Sequence, residues 1–138
     1  MIVLDTNVVS ELMRAAPSNE VVAWLRDQPA GSLLTTAVTV AEIRYGLQRL
    51  PNGRRATELR RIADETLAAF AGQVLPFDLD AAIRYGTLVA ERERAGRPVS
   101  ALDAQIAAIC LSRGASLATR NVRDFSGTGV DVLDPWGT

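Results

Sequence analysis

Three apolar residues that stop abruptly on a polar triplet set the terms for this chain. Ile2-Val3-Leu4 is too short a run for anything but a buried strand, and it ends on Asp5-Thr6-Asn7. Apolar residues then resume at helical spacing with Val8, Val9 and Leu12. Such a strand-to-helix step places Asp5 at the carboxyl edge of a sheet, where open α/β sheets bind ligands. A helix cap made by Asp5, Thr6 or Asn7 accounts for one isolated acid equally well. The choice turns on whether other acids occupy similar settings.

The rest of the chain repeats the strand–helix pattern. Ser18 or Asn19 caps a helix carrying Val21, Val22, Trp24 and Leu25 toward Asp27, closed by Pro29, Ala30 and Gly31. Leu33 to Thr36 read as a second strand. A helix from Ala37 to Leu50 follows, with a stripe at Val40, Ile43, Leu47 and Leu50 and a mixed face at Val38, Glu42 and Tyr45. After the Pro51-Asn52-Gly53 turn, a charged helix runs from Arg54 to Ala71 with Leu59, Ile62, Thr66 and Phe70 in register. Gly72 stands at its end. Val74 to Phe77 form a third strand, and Asp78 caps a helix to Ala95, stopped by Gly96 and Pro98. Ser100 opens another helix with Leu102, Ile106 and Ile109 on one face and Gly114 beyond it. Ser116 to Thr119 make a strand, Arg120 to Asp124 a polar loop, and Val130 to Leu133 an edge strand before Pro135. This alternation predicts a parallel sheet between helical layers, in one domain spanning residues 1–138.

Composition narrows the chemistry. Hydrophobic residues make up 48% of the 138, enough for a real core, and no run approaches a membrane span. Asp5 interrupts any signal-peptide pattern, and the single cysteine, Cys110, excludes an intrachain disulfide framework; a reducing cytoplasm fits. There is no histidine, hence neither the usual general base nor the commonest zinc ligand, so a metal site must be built from oxygen. Oxygen donors favour magnesium or manganese. All 15 basic side chains are arginine, and the net charge of −1 points away from nonspecific coating of nucleic acid.

Three further acids parallel Asp5. Glu42 lies off the main apolar stripe of its helix, with apolar Val38 and Tyr45 beside it. A covered carboxylate needs a partner or a cation. Asp103 stands three residues after Ser100, a good capping box that also places an acid in the first helical turn. Asp124 follows the Leu117-Ala118-Thr119 strand after a loop that also holds Asn121. Each alone reads as a cap or a solvated acid. Together they gather at one end of the sheet, where mutual repulsion is relieved by divalent cations. That arrangement suits phosphoryl chemistry with metal-activated water as nucleophile. Arg14, Arg44, Arg120 and Arg123 lie near these acids in sequence and are candidates for phosphate contact, although a surface arginine without a role fits each as well.

Four segments carry a resemblance. Ile2-Val3-Leu4-Asp5-Thr6-Asn7, Val40-Ala41-Glu42-Ile43-Arg44-Tyr45-Gly46, Ala101-Leu102-Asp103-Ala104-Gln105-Ile106-Ala107-Ala108 and Leu117-Ala118-Thr119-Arg120-Asn121-Val122-Arg123-Asp124-Phe125 stand in this order and spacing. In them the chain resembles the PIN-domain ribonucleases, most closely the single-domain VapC-type toxins of bacterial toxin–antitoxin pairs. The resemblance implies an α/β/α sandwich with a central, mainly parallel sheet, and a magnesium- or manganese-dependent endoribonuclease. It assigns Asp5, Glu42 and Asp103 as core metal ligands, Asp124 as the fourth acid, and Thr6 and Asn121 as hydrogen-bonding supports. It also implies a homodimer, with contacts at the second face of the Glu42 helix and on the Asp78 to Ala95 helix, and a small antitoxin that obstructs the site. Two other classes fit parts of the pattern: a metal-dependent phosphatase using Asp5 as nucleophile, and a non-catalytic module whose acidic pocket captures an arginine of the antitoxin or another partner peptide. The phosphatase lacks a second Asp at position 7 and any lysine to support a phosphoryl-aspartate.

Overall fold

A computed structural model describes residues 1–137. The strands are β1 (Ile2–Leu4), β2 (Leu33–Thr36), β3 (Val74–Leu75), β4 (Ser116–Ala118) and β5 (Val132–Leu133). They form one sheet in the order β3-β2-β1-β4-β5, with every pairing parallel. The helices are α1 (Thr6–Leu12), α2 (Asn19–Arg26), α3 (Ala37–Gln48), α4 (Arg54–Ala68), α5 (Leu79–Arg94) and α6 (Ala101–Arg113), with a 3₁₀ turn at Val122–Phe125. No helix among the described residues is long and apolar enough to cross a membrane.

The strands are mostly apolar because both faces of the sheet are covered, with Thr35, Thr36 and Ser116 the polar exceptions. Side chains alternate across a strand, so β1 serves two cores. Val3 joins Leu117, Ile106, Ile109, Cys110 and Leu88 beneath α5 and α6. Leu4 joins Val8, Val9, Val21, Ile43, Leu47 and Ala63 beneath α1 to α4. The expected α/β/α sandwich is therefore what forms. Its helix ends follow the sequence signals. Thr36, Asp78 and Ser100 accept bonds from Thr39 N, Ala81 N and Asp103 N at 3.1, 3.1 and 3.3 Å. Gly114 ends α6 in the left-handed region at φ 63°, with Ala115 N bonded to the Cys110 carbonyl at 2.9 Å.

The chain leaves β1 toward β2 and β3, then returns to place β4 on the other side of β1. The boundary between β1 and β4 is thus the topological switch point, where adjacent connections depart in opposite directions and open a crevice. Asp5 ends β1 and Thr119 follows β4, so both stand at its mouth.

Several expectations need correction. The third strand is only Val74–Leu75, and Phe77 is exposed. The last strand shortens to Val132–Leu133, α3 ends at Gln48 and α4 at Ala68. In α3 the deepest residue of the first turns is Thr39, with Val40 only partly buried, because Val38 turns into the α5–α6 core while Ile43 and Leu47 enter the other. Periodicity places Leu102 beside Ile106 and Ile109, yet it is 44% exposed while they are fully buried. It lies in the first turn of α6, before the helix reaches the sheet.

Ile106→Ala should therefore cost about 2–5 kcal/mol, and Leu102→Ala less than about 1 kcal/mol, by urea denaturation. Equal losses would show that α6 packs in a different rotation.

Candidate functional site

Asp5 is 3% exposed and carries the densest set of hydrogen bonds at the switch point. Its Oδ1 accepts from Thr6 N at 2.8 Å, as a helix cap does. Its Oδ2 accepts from the Thr119 hydroxyl at 2.8 Å and from Asn7 Nδ2 at 3.3 Å. One oxygen of Asp5 thus caps α1, and the other faces β4 across the switch point. Asp5 N also bonds the Ala118 carbonyl at 2.9 Å, so backbone and side chain both tie β1 to β4.

Thr6 and Thr119 extend this set in opposite directions. The Thr6 hydroxyl donates to Glu42 Oε1 at 2.7 Å and lies 3.2 Å from the Thr39 hydroxyl. It therefore holds Glu42, on α3, against the start of α1. Thr119 Oγ1 accepts from Asn121 N at 3.0 Å and from Asn7 Nδ2 at 3.2 Å. Asn7 Oδ1 in turn accepts Arg120 N at 3.1 Å, fixing the loop after β4. Asn121 reaches this set through its backbone N–H. Thr119 and Asn7 join this hydrogen-bonded set, and sequence reasoning did not single them out for it. Their signal was position, since each sits just past a strand at the same sheet edge.

Burial pushes the Asp5 carboxyl up to about 6, against the pull of the Thr119 and Thr6 hydrogen bonds, and the charges of Asp103 and Glu42 push it further the same way. Asp103 is half-buried at the start of α6. Burial raises its carboxyl too, the Ser100 hydroxyl lowers it, and the charge of Asp124 raises it. The four acids therefore act on one another in sequence around one end of the sheet. Among the described residues, however, no group of three acids is close enough to hold a metal ion. The donors are all hard carboxylate oxygens in a region where negative charge is already costly, which is the chemistry magnesium and manganese prefer. Closing them around one ion takes side-chain movement.

The candidate arginines separate. Arg14 pairs with buried Glu11 at 3.0 Å. Glu11 also accepts from Ser18 N at 2.8 Å, so this pair braces the turn between α1 and α2. Arg44 pairs with Asp64 on α4 at 2.6 Å. The Arg120 guanidinium sits 4.9 Å from the centroid of the Trp136 ring. Only Arg123 lines a cavity with the acids, and Arg92 and Arg97 line it too.

The Asp5 shift has a consequence for stability. A carboxyl with a raised folded-state pKa binds more protons in the fold than in the unfolded chain. Its contribution is therefore full at low pH and lost as pH rises between about 4 and 6, by at most about 3 kcal/mol. Without divalent ions, Asp5→Asn should gain stability relative to the parent across that window and hold the gain above it. Urea midpoints in EDTA from about pH 4 to 8 measure the difference. A constant difference would mean that Asp5 titrates as an ordinary surface acid.

Comparison with known proteins agrees with this geometry. The PIN domain family model matches residues 2–130. A relative named VapC ribonuclease Y4jK from Sinorhizobium fredii is 44% identical over 137 residues, covering 99% of this chain and 98% of its own. The crystal structure of FitAcB from Neisseria gonorrhoeae superposes with a TM-score of 0.90 at 37% identity, covering all of both chains. A member of the VapBC family of toxin–antitoxin systems, VapBC-5 from Mycobacterium tuberculosis, superposes with a TM-score of 0.69 at 29% identity, covering 96% of each chain. A family model across nearly the whole chain, a buried acid at the switch point and relatives of matching length agree: the chain belongs to the PIN-domain family, among its VapC-type toxins.

Proposed function

We propose that residues 1–138 act as a single PIN-like domain, a divalent-metal-dependent endoribonuclease that serves as the toxin of a toxin–antitoxin pair in the cytoplasm. The observation that carries this reading is Asp5. It is almost fully buried, bonded across the switch point, and pushed toward protonation by that burial, with the charges of Asp103 and Glu42 adding to the push. A carboxylate kept in so costly a setting favours a cation as its partner.

Asp5, Glu42, Asp103 and Asp124 would hold Mg²⁺ or Mn²⁺. When bound, the ion supplies an activated water and neutralises charge on the scissile phosphate. The chain's own groups do the remaining work. Thr119 and Thr6 donate to Asp5 and Glu42 respectively and fix the direction of these carboxylates. Asn7 secures Thr119 and the loop that delivers Asp124. This use of Asn7 also argues against a phospho-aspartate phosphatase, which would need a second acid there. A non-catalytic module would explain the acids but does not call for a divalent ion.

The partners follow from the relatives and from the surface. VapBC systems pair a toxin with an antitoxin, and an acidic pocket suits an arginine offered by such a protein. Leu79 and Ile83 on α5 are 74% and 62% exposed, and Tyr45 on α3 is also exposed. These apolar side chains support the homodimer contact expected on α3 and α5.

Purified protein should cut total cellular RNA into discrete products with Mg²⁺ or Mn²⁺ and none with EDTA, while Asp5→Asn is inactive. Thr119→Val, which removes the donor to Asp5, should lose about 10–100-fold in activity or metal affinity. RNA left intact by the parent, with Asp5→Asn equally harmless when expressed in cells, would end the ribonuclease reading.

A further inference from the structure

Beside the acids lies a cavity of about 360 Å³ whose walls carry Arg92, Arg97 and Arg123 together with Asp103 and Asp124. It joins the end of α5, the start of α6 and the 3₁₀ turn. Arg92 is only 7% exposed, and its buried Nε has no hydrogen-bond partner. None of these three arginines makes an ion pair among the described residues, although five other pairs form. A buried charge without an ion-pair partner is expensive, and the three arginines outnumber the two carboxylates that share the cavity. The dipole of α6, whose N-cap Ser100 also lines the cavity, adds positive potential.

The fold holds Arg92 in place. A Cβ added at Gly127 would fall 2.4 Å from Arg92 Nη1, so the guanidinium lies directly against this loop, and the φ of +78° favours glycine there. The loop backbone thus seats the guanidinium. Its planar fork matches two oxygens of a phosphate.

We propose that Arg92, Arg97 and Arg123 form an anion subsite that holds a backbone phosphate of single-stranded RNA next to Asp103 and Asp124. This rests on the ribonuclease reading and adds what keeps the substrate against the acids in a chain of net negative charge. The phosphate supplies the missing counter-charge for Arg92. Arg97 and Arg123, both exposed, close on it from the rim.

The test uses full-length protein carrying Asp5→Asn, so that RNA is bound but not cut, with a mixed-sequence single-stranded oligoribonucleotide followed by fluorescence anisotropy. Adding Arg97→Ala with Arg123→Ala should weaken binding at least about tenfold and reduce the slope of log K against log salt by about 0.7 for each phosphate no longer neutralised. Arg92→Lys, which keeps the charge but not the fork, should weaken binding too. Arg54→Ala with Arg55→Ala, on α4, should change neither. In the active parent the Arg97 and Arg123 variants should raise KM far more than they lower kcat. If Arg92→Lys fails to fold by circular dichroism, the exposed pair decides. Unchanged RNA affinity and KM in that pair, with a parent that still cuts RNA, would overturn the subsite and leave the nuclease standing. Loss of binding to an acidic peptide alone would overturn it in favour of a protein partner. A parent that neither cuts nor binds RNA would remove both readings.

Discussion

The hydrogen bond from the Thr119 hydroxyl to Asp5 joins two parts of the chain that are 114 residues apart, across the point where the sheet reverses its order. Much of the site depends on it. It is made where β1 and β4 run parallel in register, with Leu4 opposite Ala118, so the residue after each strand arrives at the same edge. Asp5 could not be buried there without such donors. An isolated carboxylate in that position would take up a proton, and burial has already moved it far in that direction.

The two cores serve this arrangement from opposite sides. Alternation along β1 sends Val3 to one core and Ile2 and Leu4 to the other, which clamps the strand that ends on Asp5. Helix α3 reaches both cores, through Val38 in one and Ile43 and Leu47 in the other. That double anchorage fixes the rotation of α3 and so directs Glu42 toward Thr6. A carboxylate on a helix packed against one core alone would have less to fix its direction.

Charge is arranged in two neighbouring zones. Asp5 stands at the mouth of the β1–β4 crevice with Glu42 held near it through Thr6, while Asp103 and Asp124 share a cavity with arginines that form no ion pair among the described residues. Several arginines outside that cavity have structural partners, among them Arg14 with Glu11, Arg44 with Asp64 and Arg120 with Trp136, and these serve the scaffold. With no lysine in the chain, both uses fall to guanidinium, whose rigid fork suits packing against a ring as well as binding oxyanions.

The order of strands and helices, their caps and the positions of the four acids could be read from the sequence, because each depends on residues within a few places of one another. Asp78 and Ser100 act as caps where they were expected, and Asp5, Asp103 and Asp124 follow strand or loop signals. Other features were decided only in three dimensions. Periodicity sets Leu102 beside Ile106, but where α6 meets the sheet depends on the lengths of both. Proximity in sequence sets Arg44 beside Glu42, but the carboxylate it pairs with is Asp64, on α4. Arg92 gives no local signal, since the loop it lies against, at Gly127, is 35 positions away. Local pattern determines what each segment becomes; which distant groups meet depends on strand order and packing, and those are properties of the whole chain.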